Sequence, residues 1–211
     1  LNETKLESSR NFANKIWNAS RFVLNSISKS NDLDNCHDLP ELIHQEDKWI
    51  ISRLNRIAKE VDSHLSRFEI GEAQSSIYDF LWNEFCDWYI ELAKIRINEN
   101  SSPSPIKVLS HVLEKTLRLL HPFMPFITEE IWRSLVEYLP DEPGRPDALI
   151  IAEYPQADAS LFDPQAERVE DALQDALGVE KAEFVTLRQP RSGAVSRKHS
   201  NQHLLLIGQV A

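Results

Sequence analysis

Apolar side chains recur at steps of three and four residues along most of the first 140 positions, and this spacing predicts a series of amphipathic helices. The predicted buried faces are Phe12, Ile16, Ala19 and Val23; Ile50, Leu54, Ile57, Val61, Leu65 and Phe68; Ile77, Leu81, Phe85, Trp88, Leu92 and Ile95; Ile106, Leu109, Leu113, Thr116 and Leu120; and Ile127, Ile131, Leu135 and Tyr138. Polar residues predict loops at 26–34 and 98–105, and Pro122 and Pro125 separate the last two helices because proline removes a helical donor.

The pattern changes after Leu139. Prolines and Gly144 predict a loop at 141–147, a short extended piece follows at 148–154, and apolar spacing predicts one short helix at 166–176. Phe184, Val185 and residues 204–207 resemble strands. We therefore predict an all-α fold: an antiparallel helical bundle over residues 1–139, followed by a linker and a divergent, irregular and partly β C-terminal segment over residues 140–211.

Composition narrows the class of protein. With 211 residues and 42% hydrophobic residues the chain can bury a core, and no apolar run reaches the roughly 18 residues that a membrane span needs. Two cysteines are too few for a disulfide framework, which fits a reducing compartment, so we expect a cytoplasmic protein. We also expect a monomer. The net charge of −10 argues at first against a nucleic-acid partner, yet residues 1–30 carry +3 while residues 31–47 carry −6 and 141–180 carry −9.

Motifs for catalysis are missing from the sequence. There is no glycine-rich phosphate loop, no H-E-x-x-H and no G-x-S-x-G. Glu84, Asp87 and Glu91 share one helix face and could form a general acid and base, but an exposed charged face is the better interpretation. Cys36 next to His37 lacks the further ligands that a metal site requires. We predict no catalytic and no metal-binding residues.

One helix carries a polar stripe that suggests nucleic-acid binding. Opposite the apolar face of the first helix, positively charged, amide and indole side chains recur at helical spacing. They are Arg10, Asn14, Trp17, Asn18, Arg21 and Asn25. Arginines pair with phosphates, amides hydrogen-bond base edges, and a flat ring stacks on an unpaired base. The alternative is that Trp17 packs into the bundle and that the polar residues bond between helices.

Four segments, in order, resemble the anticodon-binding helical bundle of the valyl-tRNA synthetase family, which are class I aminoacyl-tRNA ligases. The segments are NFANKIWNASRFVL (Asn11–Leu24), DKWIISRLNRI (Asp47–Ile57), DFLWNEFCDWYIELAK (Asp79–Lys94) and LEKTLRLLHPFMPFITEEIW (Leu113–Trp132). The resemblance covers about Leu1–Asp163, and 82–94 is more similar to the valyl family than to the related isoleucyl and leucyl families.

The resemblance implies a module that docks the anticodon stem and loop of tRNA(Val), with Arg10, Asn14, Trp17, Asn18 and Arg21 as the anticodon-facing set. It implies that a complete enzyme attaches valine to its tRNA with ATP and magnesium, using catalytic and editing domains beside this bundle. This chain lacks the H-I-G-H-like and K-M-S-K-S-like motifs of such a catalytic domain, and SISKS (Ser26–Ser30) is better explained as a helix end. We therefore expect this chain to bind no cofactor and to catalyse nothing by itself.

Three hypotheses remain open at this stage. The first is a tRNA-binding part of a valine–tRNA ligase, which fits a chain that begins at Leu1 rather than Met. The second is a free-standing helical protein-interaction domain derived from a synthetase. The third, which is weaker, is a hydrolase or transferase that uses the carboxylates of the third helix. In the tail, Arg188, Arg191, Arg197 and Lys198 could contact RNA electrostatically or belong to a disordered segment.

Overall fold

The structure, a computed structural model, describes residues 3–30, 41–101, 104–139 and 145–168. All of these residues belong to one compact unit. In chain order the longer helical elements are α1 (Glu3–Ser28), α2 (Gln45–Ser66), α3 (Ile70–Asp79), a π-helical segment (Phe80–Tyr89), α4 (Ile90–Asn98), α5 (Ile106–Leu120) and α6 (Pro125–Val136). The described residues contain helices and no strands, so the all-α prediction is confirmed for this part of the chain.

The helices form an up-and-down bundle in which α1 and α2 do not lie side by side. α1 packs against the π segment, α5 and α6, whereas α2 packs against α3, the π segment and α5. Lys15 of α1 meets Asp87, and Phe22, seven residues later, lies under Lys94, so α1 runs parallel to the π segment and α4. The π segment and α5 therefore occupy the middle of the bundle and touch both outer helices.

Most predicted buried faces are confirmed. In α5 every predicted position is buried, and Leu109, Leu113 and Leu117 are fully enclosed. α5 ends at Leu120 and α6 begins with Pro125 in its first turn, because a proline at that position loses no helical hydrogen bond. α1 ends at Ser28, where the sequence SISKS predicted a helix end.

Two aromatic residues at the ends of predicted faces do not reach the core. Phe68 is 88% exposed and has a φ of 59°, because α2 ends at Ser66 and the chain reverses there in a left-handed conformation. Tyr138 lies beyond the end of α6 and is 39% exposed. The apolar spacing had continued past the true helix ends, so these two predictions were wrong.

The π segment corrects the third predicted face. Ile77, Leu81 and Phe85 are buried as predicted, but Trp88, Leu92 and Ile95 are only half-buried. The side chains that are buried instead are Tyr89, Ala93 and Arg96, each one residue later. A π-helix bonds residue i to i+5 rather than i+4, so passing through it shifts the buried face of the following helix by one residue.

Buried polar groups of α2 hold this shifted face in place. The Tyr89 hydroxyl donates to Asp47 at 2.6 Å, and the Arg96 guanidinium donates to the same carboxylate at 2.8 Å and to Glu46 at 3.1 Å. Asp47 is 2% exposed and Arg96 is 7% exposed. Burial, and secondarily the Asp47 charge, raise the pKa of Tyr89 well above its ordinary value, so it remains a hydrogen-bond donor.

Residues 153–168, here called the strap, cross the bundle on the side of α2 and α5. The Tyr154 hydroxyl donates to the Leu119 carbonyl at 3.0 Å, and the Asp158 amide donates to Asn55 Oδ1 at 2.9 Å. Ala166 is fully buried. The strap therefore belongs to the packed structure of the bundle, to which it is attached by both polar and apolar contacts.

The structure corrects one prediction for the region after the bundle, and it leaves others untested. The expected extended piece at 148–154 begins instead with a 3₁₀ turn, Leu149–Ile151, whose Leu149 packs into the core. Residues 164–168 are helical, while the remainder of the predicted helix at 166–176, the predicted strands and the basic tail lie outside the described residues, as does Cys36–His37. The predicted domain boundary after residue 139 stays a prediction.

Replacing Tyr89 by Phe tests the bond that fixes the shifted face. We expect Tyr89→Phe to lower the free energy of unfolding by about 1–3 kcal/mol, because a buried hydrogen bond to a carboxylate is lost while the ring remains. Urea denaturation measures the change. Tyr138→Phe, at an exposed tyrosine, is the matched control, and equal stability of the two variants would contradict this account of the buried face.

Candidate nucleic-acid interface

The five side chains that the sequence singled out all lie on the solvent side of α1. Each of Arg10, Asn14, Trp17, Asn18 and Arg21 is exposed, while Ile16 and Val23 on the opposite side are fully buried. Trp17 is 41% exposed and does not pack into the bundle core. Within the described part of the chain, none of the five makes an ion pair or a side-chain hydrogen bond, so their polar groups can meet a ligand without first breaking a bond.

A groove separates α1 from the π segment and α4. Its volume is about 460 Å³. The lining residues are Asn11, Asn14, Lys15, Asn18, Ala19 and Phe22 of α1, with Cys86, Asp87, Ile90, Glu91 and Lys94 opposite. The structure thus divides the predicted set: Asn14 and Asn18 line the groove, while Arg10, Trp17 and Arg21, spaced seven and four residues apart, form the ridge beside it.

Two ion pairs lie at the groove, one across it and one on a single side of it. Lys15 Nζ lies 2.6 Å from Asp87 Oδ1, and Lys94 Nζ lies 2.5 Å from Glu91 Oε1. Each cation also lies over a ring, with Lys15 at 3.8 Å from the Trp82 centroid and Lys94 at 5.3 Å from the Phe22 centroid. The groove is therefore close to neutral and offers both hydrogen-bond donors and acceptors together with aromatic faces.

Three aromatic rings stack at the end of the groove near Lys15. The Phe12 and Tyr78 centroids are 4.1 Å apart at 20°, and the Tyr78 and Trp82 centroids are 5.7 Å apart at 6°. Phe12 is buried, whereas Tyr78 and Trp82 are half-buried. The stack joins α1 to α3 and the π segment next to the groove.

Cys86 lines the groove but is chemically inert there. It is 8% exposed, and burial raises the pKa of its thiol to about 12, with Lys15 partly opposing the rise. At neutral pH the side chain is a thiol, not the thiolate that nucleophilic chemistry requires. Its role in the groove is to pack.

The carboxylates of the third predicted helix do not form an acid–base pair. Glu84 is 6% exposed and faces α2, where Arg53 Nε and Nη2 bind its two oxygens at 2.7 and 2.8 Å. Asp87 and Glu91 instead face the groove, each beside a lysine. Our interpretation of all three as an exposed face was therefore wrong for Glu84, and the structure gives no support to the hydrolase or transferase hypothesis.

A second cavity of about 230 Å³ lies between α2, α5 and the strap. His111 lines it, and burial, with smaller effects of Lys115 and Arg118, lowers the pKa of this imidazole to about 4. His111 is therefore neutral at pH 7, so its ring can donate and accept hydrogen bonds but carries no charge. The other lining side chains are mixed in character, and Leu54, Ala58, Pro155 and Leu161 supply the apolar part.

Sequence reasoning missed several groove residues. Asn11 stands three residues before Asn14 and seven before Asn18, so the helical spacing could have included it. Lys15 and Phe22 could not be assigned from the pattern, because only packing decides which edge of α1 faces the π segment. Asp87, Glu91 and Lys94 depend on the π register and carried no recognisable signal for this role.

Two further features are absent from the described residues. Among them, no group of three or more His, Cys, Asp or Glu side chains is arranged to hold a metal ion. None of the described helices combines the length and apolar character that crossing a membrane requires.

Comparison with known proteins relates this chain to tRNA ligases. A family model described as the anticodon-binding domain of tRNA ligase matches residues 47–184. The valine–tRNA ligase of Dehalococcoides mccartyi strain CBDB1 is 52% identical over 173 residues, which is 82% of this chain and 19% of the relative. The valine–tRNA ligase of a Nostoc species is 41% identical over 184 residues, covering 80% of this chain and 18% of the relative.

A more extended alignment and a solved structure agree with these matches. The valine–tRNA ligase of Fusobacterium nucleatum is 38% identical over 203 residues, which is 92% of this chain and 22% of the relative. A LeuRS of Agrobacterium radiobacter K84, solved in a ternary complex with tRNA and LeuAMS, has a TM-score of 0.53 at 18% identity and covers 93% of this chain and 24% of its own. That structure shares the fold, and the chain spans about a fifth of the length of these valine–tRNA ligases.

The reactivity of Cys86 tests the geometry of the groove. In a Cys36→Ser background Cys86 is the one thiol left. We expect iodoacetamide at pH 8 to modify it at least 100-fold more slowly in the folded chain than in urea, because the native pKa of about 12 leaves almost no thiolate. Mass spectrometry follows the reaction, and a folded rate within tenfold of the unfolded rate would contradict a buried Cys86.

Proposed function

We propose that this chain, which belongs to the anticodon-binding domain family of tRNA ligases, docks the anticodon stem and loop of tRNA(Val) along α1. The observation that carries the proposal is that one helix presents both an exposed ridge with two arginines and a tryptophan and a groove lined by three asparagines. Charged groups that bind the backbone, an aromatic ring on which a base can stack and amides that bond base edges are the components that proteins use to bind single-stranded RNA.

The ridge suits the RNA backbone. Arg10 and Arg21 are three helical turns apart on the same face, so two phosphates of one strand can be bound at once. Guanidinium groups bind phosphates with two parallel hydrogen bonds. Trp17 lies between the two arginines along the helix and offers a half-exposed ring on which a base can stack.

The groove suits base edges. Asn11, Asn14 and Asn18 can each donate and accept hydrogen bonds, and the carboxylates of Asp87 and Glu91 add acceptors for exocyclic amino groups. The lysine beside each carboxylate keeps the groove from repelling a polyanion. The net charge of +3 over residues 1–30 agrees with an RNA contact at α1 despite the overall −10.

The similarity to valine–tRNA ligases supports two parts of the proposal: the bound tRNA is tRNA(Val), and the bundle belongs to a larger enzyme. In this proposal the complete protein attaches valine to its tRNA with ATP and magnesium, in catalytic and editing domains to which this bundle presents the tRNA. We keep a cytoplasmic, monomeric protein as part of the proposal. The alternative of a free-standing protein-interaction domain predicts no preference for RNA.

Substitution of either ridge arginine tests the interface. We expect Arg10→Ala and Arg21→Ala each to weaken binding of an RNA stem-loop with a valine anticodon by about 1–3 kcal/mol, the range for a charge-assisted contact. Fluorescence anisotropy at fixed salt measures the affinity. Arg133→Ala, which removes an equally charged and 66% exposed side chain on α6, is the matched control and should change little.

The same assay distinguishes recognition of the anticodon from binding to RNA of any sequence. Affinity for the valine stem-loop should fall linearly with salt on logarithmic axes, and a stem-loop with an altered anticodon should bind more weakly. Unchanged affinity in both arginine variants would refute the α1 interface, and equal binding of both stem-loops would refute its reading of the anticodon.

The proposed function predicts that this chain does not activate valine by itself. We expect no valine-dependent exchange of pyrophosphate into ATP, because the chain lacks the sequence motifs of a class I catalytic domain. A complete valine–tRNA ligase is the positive control. Exchange above the level of a heat-denatured sample would overturn the proposed division between this bundle and a catalytic domain.

A further inference from the structure

The strap and the π segment meet at one arginine of α2. Arg53 binds both oxygens of Glu84 in the π segment and has a second carboxylate, Glu167 of the strap, 3.9 Å from its Nη1. Glu167 also accepts from the Arg56 guanidinium at 2.8 Å and from the Ser52 hydroxyl. One face of α2 therefore connects the strap to the π segment through side chains in direct contact.

The charges of this cluster balance. Two guanidiniums, Arg53 and Arg56, face two carboxylates, Glu84 and Glu167. The side chains of Glu84 and Glu167 are 8% and 15% exposed, so water screens them poorly. Without the charge of Glu167, Arg56 would lose the carboxylate 2.8 Å from its Nη2, and Arg53 would lose the carboxylate 3.9 Å from its Nη1.

The π register that Glu84 helps to hold has a competitor in the same sequence. The apolar spacing alone predicts a continuous α-helix that buries Trp88, Leu92 and Ile95. The observed register buries Tyr89, Ile90, Ala93 and Arg96 instead, and Tyr89 and Arg96 bond to α2 through their polar groups. These polar bonds to α2 are made in the π register and favour it.

The register decides which side chains line the groove. In the observed π register, Cys86, Asp87, Ile90 and Glu91 line the groove beside α1. A shift by one residue would move Asp87 away from Lys15, whose Nζ it now meets at 2.6 Å. The shape and the hydrogen-bonding groups of the groove thus depend on the bond at Glu84.

We propose that Glu167 is a positioning residue for the groove: by neutralising Arg56 and steadying Arg53 it lets Arg53 hold Glu84, and Glu84 fixes the π register. The groove beside α1 is then formed only when the strap is docked on α2. The consequence for RNA binding rests on the proposed function, whereas the coupling between strap and groove does not.

Glu167→Gln tests the coupling without RNA. In the Cys36→Ser background we expect Cys86 to be alkylated 5- to 20-fold faster, with faster amide hydrogen exchange at residues 80–89 and unchanged exchange in α5. The matched control is Glu129→Gln, because Glu129 also anchors the segment after the bundle, accepting from the Leu149 amide at 2.9 Å, but does so on α6. It should change the Cys86 rate less than twofold.

Three outcomes would overturn the coupling. These are an unchanged Cys86 rate in Glu167→Gln, an equal rise in Glu129→Gln, or a rise in exchange that α5 shares, which would report a general loss of stability. If Glu167→Gln fails to fold, Ser52→Ala is judged by the same measurements, because the Ser52 hydroxyl donates to Glu167 and accepts from the Asp163 amide, both in the strap.

Binding of the valine stem-loop is the second measurement. We expect Glu167→Gln to bind 3- to 10-fold more weakly and Glu129→Gln to bind like the unsubstituted chain. An altered Cys86 rate with unaltered RNA affinity would overturn the role of Glu167 in RNA binding. If the unsubstituted chain does not bind the stem-loop, the proposed function fails, and the thiol and exchange measurements still decide the coupling.

Discussion

The buried ionic contacts of α2 with the π segment are the constraint on which this structure depends. Arg53 holds Glu84, and Asp47 holds Tyr89 and Arg96, at positions from which water is largely excluded. Burying charges is costly, so such pairs rarely add much stability over an apolar core. Their best-attested use is to select one register among several, and a helix with two possible apolar faces is a place where that selection is needed.

Selection of the π register shapes the surface of α1 as well as the core. The wide turns present Asp87 and Glu91 to α1, where they meet lysines and, with the asparagines of α1, form a groove of about 460 Å³. π-helical turns are uncommon because they pack their backbone less well, and they occur frequently at functional sites. Here the turn links a buried contact on one side of the helix to a polar groove on the other.

Electrostatics explains why the acidity of the chain is compatible with the RNA surface proposed on α1. The net charge of −10 is a sum over the whole chain, whereas a phosphate within a Debye length of about 8 Å responds to local charge. Arg10 and Arg21 are exposed on α1, while Glu84 and Glu167 are neutralised by arginines inside the fold. Acidic residues paired in this way subtract little from the local field of α1.

The sequence by itself determined the helical class, most buried faces, the proline break before α6 and the polar stripe on α1, because all of these follow from local spacing and from the chemistry of single residues. It did not determine the exposed position of Phe68, since only the chain reversal after Ser66 ends that face. It also could not show that Asn14 and Asn18 enter a groove while Arg10, Trp17 and Arg21 form its ridge. The third helix shows the reason, because its apolar spacing predicts a buried face that the structure shifts by one residue. The partners of this part of the chain, Asp47 for Tyr89 and Arg53 for Glu84, are remote in sequence and become neighbours only in the tertiary structure.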